Sequence, residues 1–258
     1  MVDTHAHLSI CEPDDAALVA AAREAGVHRV LTVGLDEASN REAIEAAEAH
    51  VEVFASVGRH PNSTAGFDDD AAADIEALAA HPRVRAIGET GLDYYRDRVP
   101  RDRQRSAFEA QIEIARRTGL PLVIHLRDSD AGDRDHEATA DAFSLLDRQA
   151  DGLTVILHCF SAVTRVAEAA EHGWYCSFAG NVTFPGSEAL RAAAASVPDE
   201  LLLAETDAPF LAPQPLRGKP NAPANVVATA RVLSGARDVG YEQIERSIES
   251  NAGRIFGW

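Results

Sequence analysis

Lysine is almost absent from these 258 residues: of 24 basic side chains Lys219 alone is not arginine, against 41 acids. The formal charge of -17 repels polyanions from most of the surface, so an anionic partner needs a local basic groove. A high-salt cell interior accounts for acid excess with scarce lysine, but a GC-rich genome also replaces lysine with arginine. Cysteine is scarce as well. Cys11, Cys159 and Cys176 form no CxxC pair and leave one over if two are joined, which argues against a disulfide framework and a thiolate zinc site. No apolar run reaches the roughly 18 residues that span a bilayer. The chain opens on Met1-Val2-Asp3 instead of a basic and then apolar leader. A cytoplasmic protein without membrane contact is expected.

What is present is enough apolar material, 46% of the chain, for a sizeable core. Short β-branched runs alternate with longer Ala/Glu/Arg-rich segments from end to end, the pattern of an α/β parallel sheet. Strands are expected near Val2–His5, Arg29–Val33, Val51–Val57, Val84–Gly88, Leu122–His125, Thr154–His158, Trp174–Phe178 and Leu201–Glu205. Eight strands in a chain close to the roughly 250 residues of a TIM barrel imply a closed (β/α)8 barrel, one domain over residues 1–258. A Pro-rich loop from Ala208 to Pro223 then leads to helical segments around Ala224–Leu233 and Tyr241–Phe256.

Such a barrel carries its chemistry where strands end at their C-termini. Five of ten histidines fall there: His5, His7, His60, His125 and His158. Taken singly, each is more often a hydrogen-bonded core or surface histidine, but their joint placement reverses those odds. Of the others, His50, His81 and His172 sit near helix ends, while His28 and His136 have no evident context. In Asp3-Thr4-His5-Ala6-His7, residues two apart on a strand share a face, so both imidazoles can bind one divalent ion with Asp3 orienting a ligand from behind. Glu89 directly follows the run Val84–Ile87 and suits a carboxylate shared by two ions, with Asp93 a weaker competitor. His125 and His158 each end a buried strand and can complete a second site with Glu89. Asp207 can bind metal and accept a proton from water, and Glu205 is a supporting hydrogen-bond acceptor.

The set Asp3-Thr4-His5-Ala6-His7, Gly58-Arg59-His60-Pro61, Gly88-Glu89-Thr90-Gly91-Leu92-Asp93-Tyr94, Ile124-His125-Leu126-Arg127, His158-Cys159-Phe160-Ser161 and Glu205-Thr206-Asp207-Ala208-Pro209-Phe210-Leu211 resembles the TatD family of metal-dependent DNases, within the amidohydrolase-like barrels. The motifs run in family order from residue 3 to 211. The resemblance implies a Mg²⁺-supported deoxyribonuclease acting from the 3′ end of single-stranded DNA. It implies two divalent ions, both touching Glu89, one shared with His5, His7 and Asp207 and the other with His125 and His158. It also implies that His60 lies near substrate. Imidazole-rich sites favour Zn²⁺ or Mn²⁺ over Mg²⁺ in binding order, so the ion found and the ion used can differ. The chain departs from the family at Ala162, where Gly is common, and at Pro220, Ala222 and Asn225, where Arg, Glu and Tyr are usual; the latter loop is expected to contact substrate.

Arg127, two residues past His125, is the best candidate for a phosphate contact. Arg96, Arg98, Arg101, Arg103 and Arg105 are for the most part expected to be solvated and paired with Asp97 and Asp102. Tyr94, Tyr95 and Phe210 can stack bases, although core packing is the commoner fate. Two rivals stay open: an amide or ester hydrolase such as a D-aminoacyl-tRNA deacylase, and a non-catalytic nucleic-acid-binding barrel. Many amidohydrolase relatives bridge their metals with a carboxylated lysine; Lys219 lies after strand eight, and Glu89 occupies the bridging position. A silent barrel would not need all six ligands.

Overall fold

The computed structural model describes residues 1–96, 98–130, 137–214 and 216–258; Asp97 and His136 lie outside the described residues. Eight parallel strands follow chain order around one sheet: β1 (Val2–Ala6), β2 (Arg29–Val33), β3 (Val53–Val57), β4 (Val84–Asp93), β5 (Leu122–Arg127), β6 (Val155–Leu157), β7 (Tyr175–Phe178) and β8 (Leu202–Ala204). The ring closes where the chain leaving β8 meets β1, through Asp207 N–H to His5 O at 2.9 Å and His7 N–H to Ala208 O at 2.8 Å. This is the TIM-type barrel expected.

Helices α1 (Asp15–Glu24), α2 (Glu37–Ala49), α3 (Asp69–Ala79), α4 (Arg101–Thr118), α5 (Glu137–Gln149), α6 (Val166–Glu171), α7 (Glu188–Ser196), α8 (Val226–Ala236) and α9 (Tyr241–Phe256) alternate with the strands and extend beyond them. Side-chain oxygens of Asp14, Asp36 and Asp68 accept from the first-turn amides of α1, α2 and α3, supplying partners and negative charge where helix N-termini need them. The inward stripe of α4 buries Phe108, Ile112 and Ala115 against the sheet. No helix among the described residues is long and apolar enough to cross a membrane.

Two strands run further than their apolar stretches indicate. β4 continues through Glu89 to Asp93, and β5 continues past His125 to Arg127, so both site residues are held by sheet pairing and not by loops. Glycine makes this possible. A side chain on Gly88 (φ +140) would meet Val123 O at 2.5 Å, and one on Gly91 (φ +135) would meet His125 O at 2.1 Å. Glycines at these two positions let β4 press against β5 on both sides of Glu89.

Candidate metal centre

Asp3, His5 and His7 project from one face of β1 and its continuation, as the alternation of a strand requires, and all three are buried. Glu89 comes from the middle of β4, His125 from β5, and His158 from the residue after β6. Past β6 and β8 the backbone turns sharply, with Cys159 at φ 44 and Asp207 at φ 53. The structure brings all six expected ligands together around Glu89, which is 2% exposed.

The two carboxylate oxygens of Glu89 face different histidines. Oε2 lies 3.4 Å from His5 Nε2 and 3.5 Å from His7 Nε2. Oε1 lies 2.6 Å from His125 Nδ1 and 3.1 Å from His158 Nε2. Asp207 Oδ1 joins the first group, 3.4 Å from His7 Nε2 and 3.9 Å from His5 Nε2. One carboxylate thus sits between two nitrogen pairs, the arrangement through which a shared ligand holds two ions.

Hydrogen bonds behind the histidines set their tautomers. His7 Nδ1 is 2.9 Å from Val33 O, and His158 Nδ1 is 2.9 Å from Glu205 Oε1; both partners only accept, so each Nδ1 carries the proton. In the neutral rings each Nε2 then turns a lone pair toward carboxylate oxygen. Acceptor facing acceptor in a buried space is repulsive unless a cation lies between them. The donor set therefore fits divalent metal, and His5-His7-Glu89 and Glu89-His125-His158 each bring three ligand atoms within 4.8 Å of one another.

Without an ion, protons on the imidazoles take its place between the same atoms. Burial opposes ionisation of Glu89, yet the charge of His158 and hydrogen bonds from His125, His158 and His5 hold its carboxyl well below the usual range. Burial likewise opposes a charged His158, and Glu205 and Glu89 overcome it and raise the imidazole well above its ordinary value. Burial would raise Asp207, but its contact with His7 leaves it lowered. Burial pushes the Asp3 carboxyl up to about 8 in spite of Thr206. Its two oxygens take the Thr206 N–H at 2.9 Å and contact Thr206 Oγ1 at 2.6 Å, tying β1 to the chain after β8.

Glu205 stands behind the ligands, its Oε1 accepting from both His158 Nδ1 and Cys159 N–H at 2.9 Å. Asp93 lies on the far side of His125 from Glu89, where His60, Asp93 and His125 form a further group of possible ligand atoms. Its Oδ1 accepts from the Tyr95 and Arg96 amides at 3.0 and 2.9 Å, its Oδ2 from Asn62 Nδ2 at 2.7 Å, and it faces the far nitrogen of His125, Nε2, at 3.6 Å. His60 lines the cavity. Its Nδ1 accepts the Asn62 N–H at 3.0 Å, so the neutral ring has its proton on Nε2, 3.8 Å from Glu89 Oε1, and burial followed by His125 pushes its pKa down to about 3.

A cavity of about 670 Å³ opens over these groups, lined further by Asn62, Arg96, Arg98, Arg127 and Phe210. Arg105 pairs with Asp141 and Tyr94 Oη and stays outside the lining. Tyr94 is buried, whereas Tyr95 and Phe210 are 41% and 51% exposed, which corrects the expectation of core packing for these two. Two supporting residues escape notice in the sequence: Gln104 and Gln111, buried on α4. Gln104 exchanges hydrogen bonds with the Asp93 backbone, and Gln111 does so with Arg59 while also donating to Thr90 Oγ1. The available signal was their seven-residue spacing on the apolar stripe of an amphipathic helix.

The family model described as TatD related DNase matches residues 2–257. A relative from Mycobacterium tuberculosis, described as the uncharacterized metal-dependent hydrolase TatD, is 40% identical over 267 residues, covering 100% of this chain and 98% of that protein. A Citrobacter rodentium protein named 3'-5' ssDNA/RNA exonuclease TatD is 34% identical over 251 residues, covering 95% and 92%. The crystal structure of YJJV, a TatD homolog from Escherichia coli, superposes with a TM-score of 0.91 at 24% identity, covering 100% and 98%. That similarity is one of fold.

Proposed function

The chain belongs to the TatD-related DNase family of metal-dependent hydrolases, and from that premise we propose a nuclease that hydrolyses single-stranded DNA from its 3′ end, with Glu89 shared between two divalent ions. The observation that carries this reading is the division of Glu89, one oxygen toward His5 and His7 and the other toward His125 and His158. Divalent ions held there supply Lewis acidity, easing deprotonation of water and offsetting charge on a phosphoryl group. Mg²⁺ is the working ion in this reading; the imidazole-rich donor set also accepts Mn²⁺ or Zn²⁺.

The side chains divide the remaining work. Asp207, kept ionised beside His7, accepts the proton of the attacking water as the water oxygen bonds to phosphorus; the bond to the leaving oxygen breaks and that oxygen takes a proton from solvent. His60 offers an Nε2–H to the cavity, a donor suited to a phosphoryl oxygen. Arg127, its guanidinium 3.8 Å over the Tyr95 ring, keeps a cationic edge for the neighbouring phosphate. Glu205 holds the His158 ring in orientation from behind, and Asp3 acts on the backbone, through the amides of His5 and Thr206.

The test is degradation of end-labelled single-stranded DNA by protein stripped of metal and reloaded with Mg²⁺, Mn²⁺ or Zn²⁺, beside Glu89→Ala. Metal-dependent shortening from the 3′ label, lost in the variant, supports the reading. Equal activity in the variant removes Glu89 from its shared role. Failure to cut DNA with every ion, together with turnover of an ester or D-aminoacyl-tRNA, moves the protein to another hydrolase class.

A further inference from the structure

The mouth of the barrel is chemically two-sided, and strand order sets the sides. β4 and β5 are neighbours, the chain leaving β8 meets β1, and the two pairs lie across an eight-stranded ring from one another. Over β4 and β5 the cavity is lined by Arg96, Arg98 and Arg127. In a chain with 41 acids, Arg23, Arg41, Arg105, Arg117 and Arg237 all sit in ion pairs. None of the three lining arginines is ion-paired to a described residue. Positive charge without an ion-pair partner among the described residues therefore collects on one rim.

The opposite rim has no arginine or lysine among the described lining residues; Arg217 is held away over the Phe184 ring at 4.5 Å. It carries Phe210 instead. The ring is half exposed, yet its backbone is pinned: its N–H donates to Asp207 O at 2.8 Å, and its carbonyl accepts from Asn221 Nδ2 at 2.7 Å, with Asn221 also bound to Thr206 O. The ring's edge approaches His7 at 6.1 Å between centroids. An aromatic surface fixed beside the metal ligands and left open to solvent costs exposure of apolar area and serves no core.

We propose that this cavity is a two-sided cleft for the end of a single strand, in which Phe210 stacks the terminal base that is released and Arg96, Arg98 and Arg127 hold phosphates of the strand that stays. Stacking needs only a base's π-face, so the subsite takes any of the four bases, and the arginine rim reads backbone charge alone. The inference rests on the nuclease reading and adds the direction in which the strand lies. With one uncharged subsite on the leaving side and a cationic rim on the other, single nucleotides are the product.

The experiment compares two labelled single strands that differ only at the 3′-terminal residue, a normal nucleotide or its abasic tetrahydrofuran counterpart, with wild type, Phe210→Ala and Phe210→Trp. Wild type should favour the base-bearing end by about tenfold in kcat/KM, the size of one base–aromatic stack. Phe210→Ala should bring that ratio close to one, and Phe210→Trp should restore it. In a second arm a dinucleotide is compared with a much longer strand: the gain with length should shrink in the Arg96→Ser/Arg98→Ser variant and persist in Phe210→Ala. A wild-type ratio near one, or a ratio unchanged in Phe210→Ala, overturns the stacking subsite while cleavage itself leaves the nuclease reading standing. A wild type that cuts neither strand with any ion overturns both.

Discussion

Replacing Glu89 by glutamine keeps the shape of the side chain and removes the charge that faces both nitrogen pairs, so it separates a shared ligand from an ordinary one. At a metal concentration a hundredfold above Kd, each bound ion adds about 2.7 kcal/mol to folding stability. Two ions add about 5 kcal/mol, or about 10–20 °C in Tm at roughly 2–4 °C per kcal/mol for a chain near this size. Residues behind metal ligands are worth about 10- to 100-fold in affinity, so loss of a direct carboxylate ligand should weaken an ion by about 100-fold or more. Because one Glu89 oxygen faces each pair, both ions weaken, and the metal-induced shift should collapse to about 1 kcal/mol, or about 2–4 °C. Asp207→Asn touches the His5 and His7 group alone, and about half the shift should survive. The assay is thermal melting of each variant with and without metal, each referenced to its own metal-free melt, with bound metal counted by elemental analysis. A Glu89→Gln protein that keeps half the shift and one tightly held ion would refute the sharing.

Glu205→Gln replaces one acceptor oxygen that serves His158 Nδ1 and the Cys159 amide; it should cost about 10- to 100-fold in affinity for the ion on the His125 and His158 side, read by metal titration, and unchanged affinity at both sites would dismiss its orienting role. Burial lowers His7, His125 and His158, but the carboxylates facing them outweigh it and raise all three. These rings hold their protons to higher pH than a free imidazole does, and an ion must displace them. Affinity should rise with pH and fall as pH drops through the raised values; calorimetry in two buffers of different ionisation enthalpy checks the proton release, and none at pH 7 would count against this protonation state. Gly91→Ala forces a side chain onto His125 O at 2.1 Å with φ +135. It should cost about 3 kcal/mol or more, and a melting temperature within a degree of wild type would show that β4 can retreat from β5 at no expense.

Much of the site was legible because its residues are strand-end residues. Asp3, His5 and His7 declare themselves by two-residue spacing, and His125 and His158 by ending apolar runs. Strand positions were less legible than strand existence. β4 and β5 overrun their hydrophobic stretches because pairing continues as long as backbone groups find partners, whichever side chains they carry. Gly88 and Gly91 in the first strand look like punctuation, yet they are contact points. The arginine run following β4 reads as uniform in sequence. In space Arg105 turns to Asp141 while Arg96 and Arg98 turn to the cavity, a division made by the path of the loop into α4.

The amino-acid sequence by itself determined the barrel and which side chains gather as the candidate metal centre, because hydrophobic period and strand-end placement are local properties that survive translation into a fold. Tertiary structure alone decided which oxygen of Glu89 faces which imidazole, which tautomers Val33 and Glu205 impose, and that Phe210 stands across the mouth from Arg96, Arg98 and Arg127. Those relations join residues up to 114 positions apart. Only closure of β1 against the chain after β8 sets the distances and charges between them.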